Sequence, residues 1–158
     1  SSGRRGPADK TALAAALRAA CEDLALQLAR DAEGRTKVVQ VAVTGAADDA
    51  QARLVARCVA ENQLVKCSWR GGNPLWGRIL AEAGACGVAF DPDRASVSFG
   101  GVCVCEHGVA LPHDEHAVRV HMGEEEIAVA IDLGLGTGRG RMITVDLGPE
   151  YIAENSSV

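Results

Sequence analysis

Across residues 30–37 the hydrophobic period of this chain changes from that of a helix to that of a strand. Upstream, Leu13, Leu17, Ala20, Leu24 and Leu28 recur every three or four residues, which predicts a helix over 8–29. Downstream, Val39, Val41 and Val43 alternate with Val38, Gln40 and Ala42, which predicts a strand over 37–43 covered on at least one side. Gly34 lies between them and suits a helix stop. Beside it stands a carboxylate, Glu33. A side chain at such a junction can face a ligand while rigid elements on both sides hold it. A negative charge near a helix C-terminus is electrostatically unfavourable, so its presence there hints at another use, such as binding a cation.

The rest of the chain keeps mixing the two periods. Asp48 and Asp49 offer an N-cap to a second helix over 50–61, with Leu54, Val55, Cys58 and Val59 facing inward. Residues 64–69 read as a short strand or extended segment. Gly71-Gly72-Asn73-Pro74 reads as a turn, and Pro74 suits the first turn of a third helix running to Ala83. Residues 84–92 read as a connection. Residues 95–99 and 102–105 read as two strands joined by Gly100-Gly101, a hairpin signal. Residues 107–121 read as irregular, 126–133 and 141–147 as two further strands, and 150–158 as a tail. Helix and strand alternate in the first half and strands dominate the second. The fold class expected is therefore α+β, with helices packed on a mixed sheet in two small lobes. The expected division is a linker or cut end over 1–7, an α/β lobe over 8–90 and a mainly β lobe over 91–158.

Composition narrows the function classes. Aromatic residues are only 3% of the chain, so Ala, Val, Leu and Gly must fill the core. The net charge of -5 argues against a nucleic-acid surface, which needs a basic patch. No apolar run is long enough to span a bilayer and no signal-peptide pattern occurs. The six cysteines form no CxxC, and four lie among apolar residues, where free Cys behaves as a small hydrophobe; a reduced cytoplasmic protein is expected, with a disulfide scaffold as the lesser alternative.

Most chemical motifs dissolve on inspection. The glycine-rich segment 134–140 resembles a phosphate cradle, but that use needs a helix after it, and a strand follows; it reads as a flexible connection. His107, His113, His116 and His121 share a stretch with Glu106, Asp114 and Glu115, yet the spacing matches no zinc pattern, and no metal is expected. Cys103 and Cys105 share a strand face and are expected to pack. Trp69 and Trp76 read as core anchors, and Glu124-Glu125-Glu126 as a solvated turn guarding a sheet edge. No G-x-S-x-G elbow occurs. Ser1 precedes a Gly- and Arg-rich stretch, unlike an N-terminal nucleophile that opens a buried strand.

Several segments together carry a resemblance. Asp31-Ala32-Glu33-Gly34-Arg35-Thr36-Lys37 resembles a D-x-E-G-x-T-K segment. Leu64-Val65-Lys66, followed by Pro74-Leu75-Trp76-Gly77-Arg78, resembles L-V-K and D-P-N-W-G-R. Phe99-Gly100-Gly101, Ile131-Asp132-Leu133-Gly134, Asp146-Leu147, Tyr151 and Glu154-Asn155-Ser156 follow in the same order. From about residue 7 to its end, the chain is similar to the ornithine acetyltransferase (glutamate N-acetyltransferase) family of arginine biosynthesis.

The resemblance implies a larger protein of N-terminal-nucleophile type that cuts itself before a threonine into two associated chains. That threonine would take acetyl from N-acetylornithine and pass it to glutamate in a ping-pong exchange, with no metal or organic cofactor. The chain matches the C-terminal part of the second chain, so the nucleophile would lie upstream of Ser1. None of Thr11, Thr36, Thr44, Thr137 or Thr144 stands in the matching context, and no catalytic residue is assigned here. Two substrate-binding positions carry over: Glu33, whose carboxylate suits the ammonium of ornithine, and Asn155, whose amide both donates and accepts. The partners implied are the missing upstream segment and the other chain of a hetero-oligomer, with amino-acid substrates.

The chain departs from the pattern at Asn73, where the family has Asp, and at Leu75, where it has Asn. These departures leave room for a secondary-metabolite paralogue with a different acyl donor or acceptor. Two other classes remain as alternatives: a non-catalytic amino-acid-binding or assembly module, and an aminopeptidase-like hydrolase on the same fold.

Overall fold

The computed structural model describes residues 9–156; the expected linker at 1–7 and Ser1 lie outside them. The chain divides into two compact units, the first ending at Asp31 and the second beginning at Ala32.

The described part of the first unit is one helix, α1 (Lys10–Arg30). Asp9 caps it, its carboxylate accepting from Thr11 N at 3.0 Å and Ala12 N at 3.1 Å. No residue of α1 is buried, and Leu13, Leu17, Leu24 and Leu28 are all exposed.

The second unit is built on six strands: β1 (Val38–Ala46), β2 (Ser96–Phe99), β3 (Val102–Glu106), β4 (Val109–Ala110), β5 (Glu126–Asp132) and β6 (Gly138–Val145). They form one sheet in the order β4-β3-β2-β5-β1-β6. Only β1 and β5 run parallel; every other pair is antiparallel. The sheet is therefore mixed and the class α+β. Within it β1 lies between β5 and β6.

Alternation in β1 and β5 is that of a sheet covered on one face. Val39, Val41, Val43, Ile127, Val129 and Ile131 are fully buried, whereas Gln40, Ala42, Ala128 and Ala130 are exposed. Helix α2 (Asp49–Glu61) packs on β1 and β6, α4 (Trp76–Ala85) on α2, and α5 (Glu115–Met122) against β2. Trp69 and Phe99 are the largest fully buried side chains among them.

Three segments differ from the sequence reading. Residues 64–69, expected as extended, belong to a helix, α3 (Gln63–Arg70). Asn62 caps it by accepting from Val65 N at 3.0 Å, and Val65, Ser68 and Trp69 turn inward at helical spacing. The stretch expected as irregular holds β4 and α5, the latter capped by Asp114 and anchored by buried Val118 and Met122. The tail holds α6 (Pro149–Asn155), with Pro149 in its first turn. The glycine-rich connection is also shorter than expected, because β6 begins at Gly138. A Cβ on Gly140 would sit 2.5 Å from Arg53 N and 2.6 Å from Ala52 C, so the missing side chain is what lets α2 lie directly on β6.

Among the described residues no helix is long and apolar enough to cross a membrane.

Candidate functional site

The start of β1 is pinned from both sides. Towards β5, Val38 N donates to Glu125 O at 2.8 Å, Lys37 Nζ donates to Glu124 O at 3.1 Å, and Arg35 pairs with the Glu125 carboxylate at 2.8 Å. The Glu124–Glu125 run is thus partly engaged rather than merely solvated, and Glu124 also meets His121 Nδ1 at 2.8 Å. Towards β6, Asp146 does the holding. Its Oδ1 accepts from Thr36 N and Lys37 N, both at 2.8 Å, and its Oδ2 accepts from Thr36 Oγ1 at 2.6 Å. The Asp146 side chain is fully buried. Hydrogen bonds to a charged acceptor contribute about 1.5–3 kcal/mol each, which makes Asp146 the strongest local anchor of this segment.

Three residues before Lys37 the chain turns at Gly34, whose φ is +65°. Left-handed backbone suits glycine, and here a second reason adds to it. A Cβ on Gly34 would stand 2.3 Å from Tyr151 N and 2.4 Å from Tyr151 Cα. The turn therefore rests directly on the backbone of α6.

That contact sets Glu33 against the end of α6. Asn155 Nδ2 lies 3.5 Å from Glu33 Oε2, the outer limit of a hydrogen bond, and donates to Tyr151 O at 2.9 Å. Both side chains are exposed. The two residues carried over from the resemblance, 122 positions apart, thus stand side by side. The exposed Glu33 carboxylate can pair with an ammonium by charge, and the Asn155 amide, whose Nδ2 faces Glu33, carries an oxygen that can accept.

The sequence reading missed the residues behind this pair. Arg70, at the end of α3, reaches the Glu150 carboxylate through Nε at 3.1 Å and through Nη2, and its Nε lies 3.9 Å from Asp146 Oδ2. The hydrogen bond to Arg70 pulls the Glu150 carboxyl below its ordinary range, and the same bond raises the Arg70 guanidinium further. The one available signal was the Asp146-Leu147 pair at the end of an apolar strand, since a carboxylate there needs partners. Among the described residues no group of three or more His, Cys, Asp and Glu side chains is placed to hold a metal ion.

Comparison with known proteins places these observations in one group. The ArgJ family model matches residues 1–158. The arginine biosynthesis bifunctional protein ArgJ of Mycobacterium tuberculosis is 44% identical over 137 residues, which is 87% of this chain and 33% of that protein. The protein of the same name from Streptomyces coelicolor is 40% identical over 146 residues, covering 92% of this chain and 37% of its own length. The chain thus spans about a third of the length of these curated relatives. The crystal structure of the Bacillus halodurans arginine biosynthesis bifunctional protein superposes with a TM-score of 0.90 at 31% identity, over 96% of this chain and 72% of that one.

Proposed function

The chain belongs to the ArgJ family, an acetyltransferase family, and from that premise we propose that it is the C-terminal part of an ornithine acetyltransferase. In this reading the whole protein moves acetyl from N-acetylornithine to glutamate. A threonine hydroxyl outside this chain attacks the acetyl carbonyl, its proton passing through a nearby amine to the departing nitrogen, and ornithine leaves as the free amine. The glutamate amine then attacks the resulting ester, giving N-acetylglutamate and restoring the hydroxyl. This chain supplies one wall of the amino-acid pocket. Glu33 pairs with the ammonium of the ornithine compound, and Asn155 orients it through its amide.

The observation that carries the reading is the meeting of Glu33 and Asn155 at 3.5 Å, both exposed, next to a Thr36–Lys37 segment held by the buried Asp146. A second observation supports the remaining polypeptide as partner. The sheet face opposite the helices presents Gln40, Ala42, Ala128 and Ala130 to solvent. Short side chains there admit a second layer at close range. The upstream segment and the other chain of the self-cleaved protein are the proposed occupants, in a hetero-oligomer.

The test compares the full-length protein with the 158-residue chain on N-acetylornithine and glutamate. Turnover is expected from the first and none from the second; appreciable turnover by the short chain refutes the reading. Within the full-length protein, Glu33→Gln is expected to weaken use of N-acetylornithine far more than Glu126→Gln, and equal effects remove Glu33 from the site.

A further inference from the structure

One guanidinium joins the two halves of the candidate site. Glu33 and Asn155 come from different ends of the second unit, and their side chains meet through a single 3.5 Å contact. Their spacing is set by the backbones that carry them, which touch where Gly34 rests on Tyr151, and by what holds those backbones in place. On one side, buried Asp146 holds Thr36 and Lys37, just beyond the Glu33–Gly34 turn. On the other, Glu150 lies in the first turn of α6, which carries Asn155 one helix-turn and a half further on. Arg70 lies between these two carboxylates, forked onto Glu150 and 3.9 Å from Asp146. It rises from α3, which is fixed by fully buried Trp69 and by Val65. A planar guanidinium with several donors in fixed directions suits this task better than an ammonium on a flexible stem.

We propose that Arg70 is a positioning residue: by holding Glu150 through its hydrogen bonds, within ion-pair range of the buried Asp146, it keeps the first turn of α6 against Gly34 and so fixes the spacing of Glu33 and Asn155 and the fit of the substrate's ammonium. The inference rests on the pocket reading above and adds to it a residue that touches no substrate.

The experiment uses the full-length protein with Arg70→Ala, Arg70→Lys, Glu150→Gln and Glu33→Gln, and measures kcat and KM for N-acetylornithine beside the thermal midpoint. A displacement of about 1 Å in a binding group is costly, so Arg70→Ala is expected to raise KM about tenfold while kcat stays within roughly threefold. Arg70→Lys keeps the charge and is expected to recover part of that loss. Glu150→Gln cuts the same tether from the other end, so its KM is expected to rise too; it supplies the answer if Arg70→Ala does not fold. A residue that merely supports the fold would lower the thermal midpoint and the active fraction and leave KM alone. Unchanged KM in both tether variants, while Glu33→Gln raises it, overturns the positioning role and leaves the pocket standing. Unchanged KM in Glu33→Gln overturns the pocket itself, and the positioning role with it.

Discussion

Replacing Gly34 with alanine separates backbone strain from collision. Any Cβ there meets two costs. The left-handed φ of +65° is unfavourable for an L-residue by roughly 1–2 kcal/mol. The new carbon would also stand 2.3 Å from Tyr151 N and 2.7 Å from Glu150 C, both backbone atoms that no rotamer change can move. A relaxed contact is about 3.5 Å, so the first turn of α6 must retreat by roughly 1 Å, at an overpacking cost of about 1–3 kcal/mol. The internal control is Gly101→Ala. Its φ is +83°, and a Cβ there meets nothing within 4 Å. It carries only the first cost. In urea denaturation of the full-length protein, Gly101→Ala is expected to lose roughly 1–2 kcal/mol and Gly34→Ala roughly 2–5 kcal/mol. The retreat of α6 also carries Asn155 away from Glu33, so kcat/KM for N-acetylornithine is expected to fall by about ten- to a hundredfold in Gly34→Ala and to stay unchanged in Gly101→Ala. Equal losses of stability, with kcat/KM intact in both, would show that the turn does not rest rigidly on α6.

Two further outcomes follow from local chemistry. Leu75 occupies the N-cap of α4 with no side-chain capping bond, where the resembled motif carries Asn; Leu75→Asn is expected to stabilise the protein by about 0.5–2 kcal/mol in denaturant titration, and no gain would mean the cap geometry does not accept a side-chain oxygen. Glu150 titrates below its ordinary 4.5 because Arg70 bonds its charged form, so its contribution is present above that value and is lost as pH falls through the lowered one. The stability difference between the natural protein and Glu150→Gln should therefore hold at neutral pH and shrink below 4.5; a difference that persists at acid pH would mean the bond is not the cause.

The parts of the fold that were legible are those where burial repeats over many residues. Residues 39–43 of β1 alternate between a covered and an open face, and the Gly100-Gly101 turn announces β2 and β3. Helices α3, α5 and α6 were hidden because they are 8, 8 and 7 residues long, about two turns each, too few for a period to stand out. Their caps were the better signal: Asn62 and Asp114 each accept from a backbone N–H three residues on. The 134–140 segment misled for a different reason. Glycines written as flexibility in a sequence serve close approach in β6, where α2 leaves no room for a Cβ on Gly140. Glu33 was visible as an ill-placed carboxylate, and Asn155 only through the resemblance. Arg70 was invisible, since its partners lie 76 and 80 positions away and nothing in its neighbourhood marks it.

Register explains why the site forms where it does. Antiparallel pairing sets Val38 opposite Val145, so the next residues, Lys37 and Asp146, meet, and Asp146 N donates to Lys37 O at 3.2 Å. Asp146 is thereby delivered to the amides of Thr36 and Lys37, and the chain beyond it has only Leu147 and Gly148 before α6 begins. A helix started that close to the β1 entrance must run past Gly34 and Glu33. A slip of one residue in the β1–β6 pairing would turn the Asp146 side chain to the opposite face and leave two amides and a hydroxyl without their acceptor. The pairing is held against such a slip by the buried valines of β1, and by Gly140, which only in this register lies beneath α2. The geometry of an exposed pair at the rim of the sheet is thus set by packing at its centre. Substitutions at Val39 or Val41 that preserve the fold but loosen this pairing should reach Glu33 and Asn155 without touching either.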